Sequence, residues 1–202
     1  MKPLTLHQRA ALYNAAYPHL MPLVIGHLAG RPFMHGFWFT GGGNVSSFYG
    51  SYQTEYLERI MTMFDDCRGQ TEMVHLFSGS LPASKDYVRV GKDGTGEYKS
   101  DYQIDAHELS SHLPFAPSFI MADPPYSAED SEHYKCSMVN RPVIVDQCAR
   151  VLRPGGWLVW QDQALPTFSN DRLRLVGGIS YVRSTGNRFR LVSIFQKPAN
   201  AK

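Results

Sequence analysis

Cysteine is scarce: Cys67, Cys136 and Cys148 are the only three in 202 residues, and none belongs to a C-x-x-C pair. That spacing offers neither a disulfide framework nor a zinc site, and it implies buried or incidental thiols in a reducing compartment. Long apolar runs are also missing. The stretch at 20–29 is broken by Pro22, Gly26 and His27 and is too short for a bilayer, and the segment before it makes a poor signal peptide. A cytoplasmic protein with no membrane partner is expected. The eight histidines are scattered without ligand spacing and H-E-x-x-H does not occur, so no metal is expected either. Repeats, heptads and low-complexity tracts are absent. The formal charge of +2 neither demands nor forbids a polyanionic partner, which leaves that question to where the charges sit.

A composition that is 43% hydrophobic and 19% charged is that of an ordinary globular chain, long enough for one domain with a proper core. Residues 1–45 read as a helical and irregular N-terminal extension: helix-forming content at 6–29 interrupted by Pro18 and Pro22, then an aromatic, glycine-rich segment at 31–44. Residues 46–202 read as the main domain. Tyr56, Leu57, Ile60, Met61 and Phe64 fall at helical spacing and predict a helix over 53–64. Short apolar runs at 73–77, 119–122 and 157–160 have the character of buried parallel strands, with a further strand at 87–90. A helix is expected over 142–152, closed by Arg153-Pro154-Gly155-Gly156. Two strand-like runs about Gly186-Asn187 predict an antiparallel C-terminal hairpin. The alternation specifies an α/β fold, a mostly parallel sheet with an antiparallel edge.

The sharpest motif is Asp123-Pro124-Pro125-Tyr126, directly after a buried strand. An exocyclic amine of adenine or cytosine is a poor nucleophile because its lone pair is delocalised into the ring. Hydrogen-bond acceptors that draw the nitrogen towards tetrahedral geometry activate it. The Asp123 carboxylate and the Pro124 carbonyl can supply two, on a backbone stiffened by Pro125, while Tyr126 stacks on an extruded base. Alone, the four letters also suit a rigid strand-to-loop turn.

With this placement the chain resembles the D-P-P-Y amino-methyltransferases, which modify adenine-N6 or cytosine-N4 in DNA. The likeness runs over roughly 46–197. It implies a Rossmann-like class I methyltransferase fold and S-adenosylmethionine as cofactor. Phe77-Ser78-Gly79 partly matches the family's F-x-G-x-G turn, although Leu81 replaces the second glycine and Pro82 follows, which alters the usual helix entry. Asp105-Ala106 is similar to the third motif, where an acid meets the cofactor adenine; a cap for the turn at 107–109 explains Asp105 equally well. Asp93 stands where a ribose-binding acid would, or in a plain loop. Tyr52 and Phe48, in the segment like the tenth motif, line the cofactor pocket or pack the core.

Arg183, Arg188 and Arg190 belong to a late basic cluster with Arg172, Arg174 and Lys197, and a face of that hairpin suits phosphates or simply solvent. Asp162 faces the cleft or solvates a loop, His133 and Tyr134 edge the pocket or the surface, and the Thr40–Asn44 glycines read as a mobile loop. The resemblance implies methylation of a base amino group, foremost adenine-N6 in DNA. RNA methylation or a non-catalytic partner subunit are the alternatives. Only fifteen residues separate Tyr126 from Pro142, so no recognition insert fits there. Sequence preference then falls to short loops, the N-terminal segment, or a second subunit or copy.

Overall fold

The computed structural model describes residues 3–45, 51–78, 81–92, 99–126, 131–132, 138–184 and 188–200. The apolar runs form the centre of one sheet: β3 (Met73–Leu76), β6 (Phe119–Ala122) and β7 (Trp157–Asp162), each buried along its whole length. Burial on both faces is what parallel strands between two helical layers require. β4 (Val88–Gly91) and β5 (Tyr102–Gln103) extend the sheet beyond β3, in parallel. On the other side β9 (Phe189–Gln196) pairs antiparallel with β7 and with β8 (Arg174–Arg183). From β5 the order β5-β4-β3-β6-β7-β9-β8, with β9 alone reversed, gives the mostly parallel, Rossmann-like α/β sheet with an antiparallel edge that the sequence led one to expect.

The helices divide between the faces. α1 (Leu6–Ala16) and α2 (Thr54–Met63) cover a cluster that includes Trp38, Phe119, Val159 and Ile194. α3 (Leu109–His112) and α4 (Arg141–Val151) cover a second with Val74, Leu76, Ile120 and Leu158. Local chemistry sets their ends. Thr5 and Gln8 form a reciprocal capping box at the start of α1, and Asn140 caps α4 ahead of Pro142. After α4 the chain reverses at Gly155, φ +79°, and a Cβ on Gly156 would stand 2.9 Å from the Arg153 carbonyl, so this turn admits only glycine without rearrangement. The helix expected over 53–64 and the one over 142–152 are present within a residue or two.

The helical and irregular character expected of residues 1–45 is corrected. Only α1 is helical; 24–40 is a β-hairpin, β1 (Val24–Leu28) and β2 (Arg31–Thr40), joined to the sheet by parallel pairing of β2 with β8. The deciding signal is period two: Met34, Trp38 and Thr40 are buried while His35 and Phe39 are exposed. Ala29 and Gly30, φ +49° and +75°, make the two-residue turn whose twist suits a hairpin. The Gly41–Gly43 loop is tied down rather than free: Gln53 Nε2 donates to the Gly42 carbonyl, and the Thr54 amide to that of Gly43. The hairpin turn expected at Gly186-Asn187 lies outside the described residues.

Candidate active site

Asp123 follows the last residue of β6, at the edge where the parallel strands end. Its neighbours come from other strands. Gln161, the penultimate residue of β7, donates from Nε2 to Asp123 Oδ2 at 3.0 Å and to the Tyr126 hydroxyl at 2.7 Å. Tyr126 donates its hydroxyl to Asp123 Oδ1. Arg190 of β9 lies over the Tyr126 ring at 5.0 Å and the Tyr181 ring at 5.8 Å. Below them, Arg141 at the start of α4 grips the fully buried Asp162 at 2.5 and 3.2 Å and donates to the Tyr126 carbonyl at 3.0 Å. One ion pair thus clamps the end of the D-P-P-Y turn to the helix and to β7.

Burial pushes the Asp123 carboxyl up to about 6, while the Arg190 charge and the hydrogen bonds from Tyr126 and Gln161 hold it from rising further. Burial also raises the phenols of Tyr52, Tyr56 and Tyr126 well above their ordinary value, and the nearby Asp123 charge adds to this. Behind Asp123 stands an aromatic wall. Tyr56 stacks on Tyr52 at 6.1 Å and on Tyr181 at 5.4 Å, and His75 of β3 lies 5.9 Å from Tyr52 and 4.6 Å from Tyr87. Desolvation takes the His75 imidazole down to about 3, so it is neutral. The hydroxyls of Tyr52 and Tyr56, both nitrogens of His75, Gln161 Oε1 and Arg190 Nε are buried without a hydrogen-bond partner among the described residues. Buried polar atoms are ordinarily satisfied, and six gathered beside one carboxylate suit a polar ligand.

The other expected residues fall in three groups. Tyr52 joins the wall. Phe77 and Ser78 follow β3: Phe77 takes a left-handed φ of +64°, Ser78 is buried with its hydroxyl towards the Val90 carbonyl, and Leu81 packs in the core instead of leaving a glycine gap. Residues 81–87 contain no helix, as Pro82 foreshadowed. Asp105 and Ala106 lie apart, beyond β5. Asp105 caps the turn at Ala106–Glu108 through the His107 amide, pairs with His107 Nδ1 at 2.7 Å and with Lys92 at 3.1 Å, and despite partial desolvation these partners draw it down to about 2. Gly79, Asp93, Phe48, His133 and Tyr134 are outside the described residues. Arg183 donates to Asn44 Oδ1 at 2.9 Å, and Arg188 is exposed. Arg190 turns inward to Tyr126 rather than outward with Arg188, and Asp162 neither faces solvent nor lines an open cleft. Gln161 and His75 escaped the reading of the sequence, though a polar residue inside an otherwise apolar strand was the available sign; Tyr56 was read only as an apolar position of its helix.

Among the described residues no helix is long and apolar enough to cross a membrane, and no group of three His, Cys, Asp or Glu side chains gathers to hold a metal. No family model and no curated protein matches the chain. Several solved structures resemble it, and two of them show how far the likeness goes. TrmN from Thermus thermophilus is 16% identical at a TM-score of 0.47 over 70% of this chain; the match spans about half, 48%, of that longer chain. A structure reported for conversion of a disulfide bond into a thioacetal group during echinomycin biosynthesis is 12% identical at a TM-score of 0.36, covering 73% of this chain and 82% of that one.

Proposed function

We propose that this protein is an S-adenosylmethionine-dependent methyltransferase acting on an exocyclic amino group of a nucleic-acid base, foremost adenine-N6 in DNA. The observation that supports it best is the set of groups on Asp123: a carboxylate at the end of the fourth parallel strand, facing Gln161, Tyr126 and Arg190, on a turn stiffened by Pro124 and Pro125. S-adenosylmethionine, when bound, supplies an electrophilic methyl group on a sulfonium. Tyr52, His75 and the Phe77–Ser78 turn, continued by Gly79, would hold it, with Asp93 and Asp105-Ala106 towards its nucleoside end. The unpartnered hydroxyls and imidazole nitrogens fit such an amphipathic ligand.

The chain's own part is to activate the amine. Both Asp123 oxygens are engaged, one by Tyr126 and one by Gln161, so a base enters by displacing the Tyr126 hydroxyl. The amino hydrogens then meet Asp123 Oδ1 and the Pro124 carbonyl, the nitrogen pyramidalises, and its lone pair turns towards the methyl group. Tyr126, freed from Asp123, offers its ring to the base. Arg190 keeps the carboxylate ionised against its burial, and Asp123 accepts the proton that the amine loses. The proposed partner is therefore nucleic acid, with sequence preference left to short loops, the N-terminal segment, or a second copy or subunit.

RNA as substrate is the second reading, favoured by the short connection from Tyr126 to α4, which holds no recognition insert. A non-catalytic partner subunit is favoured by one feature, Leu81 filling the place of the second glycine. Calorimetry separates the classes: the catalytic reading expects saturable heat with S-adenosylmethionine, lost in His75→Leu, and is overturned if the wild-type protein gives none.

A further inference from the structure

The strands β1, β2, β8 and β9 sort their side chains by charge. The register sets Arg183 beside Thr40, and Arg190 beside Tyr181, which is itself beside Trp38. Both arginines therefore share the face of Met34, Trp38 and Ile179, the one packed beneath α1 and α2, and Arg174 lies on that face too. The opposite face is apolar. It carries Val24 and Leu28 of β1, Phe33, Phe37 and Phe39 of β2, and Phe189 of β9. Arg31, at the hairpin end, is the one Lys, Arg, Asp or Glu that these four strands place there, with His35 beside Val24.

Among the described residues nothing from β1 or β2 joins the cluster beneath α3 and α4, so this apolar face lacks the helical cover that the rest of the sheet has. Val24 is 47% exposed, Leu28 48%, Phe39 57% and Phe189 63%. At about 200 Å² for a whole phenylalanine and somewhat less for leucine and valine, these four alone leave roughly 400 Å² of apolar surface open. That is already as large as the biggest patch on an ordinary monomer. It is also half of the ~800 Å² per partner that a standard stable interface buries, before the half-buried Phe33 and Phe37 are counted. The surface is flat as well. Phe33 lies down on β8, its Cζ 3.3 Å from where a Cβ on Gly178 would stand, and the Phe37 ring lies 6.3 Å from that of Phe189.

We propose that this face packs against the same face of a second copy of the chain, sheet on sheet about a two-fold axis, burying Phe39 and Phe189 of both. Flat apolar sheet faces pack well in this way, about 10 Å apart. A two-fold contact sets a patch against itself, so like charges within it would repel; this patch has none away from the Arg31 corner. Its lack of charge also argues against other occupants. A phosphate-bearing ligand would find its arginines on the wrong side of the sheet, and an unrelated protein would find few polar groups to set its register. Arg190, which lies on Tyr126, alternates to the opposite face and stays clear of the contact. The pairing is therefore independent of the methyltransferase reading.

The test is sedimentation equilibrium of the full-length protein from nanomolar to high micromolar concentration. A monomer–dimer equilibrium that stops at two chains is expected. Phe39→Lys and Phe189→Lys, at positions more than half exposed, each weaken the dimer by about tenfold or more while circular dichroism shows them folded. Phe189→Leu keeps the dimer, and so does Val143→Lys, which adds the same charge to the exposed side of α4. A wild-type protein that stays monomeric throughout overturns the proposal, as do lysine variants at both phenylalanines that dimerise like wild type, equal weakening by Val143→Lys, or assemblies that grow beyond two chains. A monomer whose phenylalanines instead hold single-stranded nucleic acid or lipid vesicles assigns the face to that occupant and overturns it too. An intact dimer without methyl transfer would refute the catalytic reading alone.

Discussion

Asp123 is a carboxylate placed where its charge is costly. Its folded pKa of about 6 lies above the unfolded value, so the cost is fully present above pH 6 and disappears as pH falls below the ordinary carboxylate range. Asp123→Asn is therefore expected to stabilise the fold at pH 8 by about 1 kcal/mol and to lose that advantage by pH 4, in denaturant titrations at both values. Because the ionised form is the acceptor, kcat/KM for methyl transfer should rise through pH 6 and then level off. His75 carries the same tension in neutral form. Replacing its unpartnered imidazole with Leu should raise the unfolding free energy by about 1 kcal/mol while weakening S-adenosylmethionine binding at least tenfold, the exchange of stability for function expected at a binding site. The opposite sign is expected at Asp162. Asp162→Ala leaves Arg141 largely buried without its partner and should cost about 3 kcal/mol, read as a lowered denaturation midpoint.

At the scale of elements, what was legible in the sequence was whatever had a strong period or a strong stop. The runs at 73–77, 119–122 and 157–160 could be read as strands because central parallel strands are apolar on both faces, and α4 because Asn140, Pro142 and Gly155 punctuate it. β2 was not, since Phe33, Phe37 and Phe39 leave its uncovered face as apolar as its core face, which hides the alternation. β5 is too short to announce itself. In the site, Asp123 and Tyr126 were legible from their motif, whereas Gln161, His75 and Arg190 converge only through the β3-β6-β7-β9 pairing, at sequence separations that no local pattern carries. The turn after α4 gives a test at this scale: with a carbonyl 2.9 Å from its would-be Cβ, Gly156→Ala should cost about 1–3 kcal/mol in unfolding free energy.

The whole molecule has two halves of opposite character on one sheet. The chain from α2 to the segment after β7 carries every acid, Glu55 to Asp171, and the motif that resembles an amino-methyltransferase; β1, β2, β8 and β9 carry none. The antiparallel β9 joins them, contributing Arg190 to one and Phe189 to the other. Affinity for the proposed nucleic-acid substrate should fall steeply between 50 and 200 mM salt. The central claim, though, concerns Asp123. Transfer of a tritiated methyl group from S-adenosylmethionine to unmethylated DNA, RNA and protein substrates tests it most directly. The account predicts label on the amino group of a base, reduced by at least a hundredfold in Asp123→Ala with cofactor binding preserved. Label appearing on protein alone, or undiminished labelling in Asp123→Ala, would contradict it.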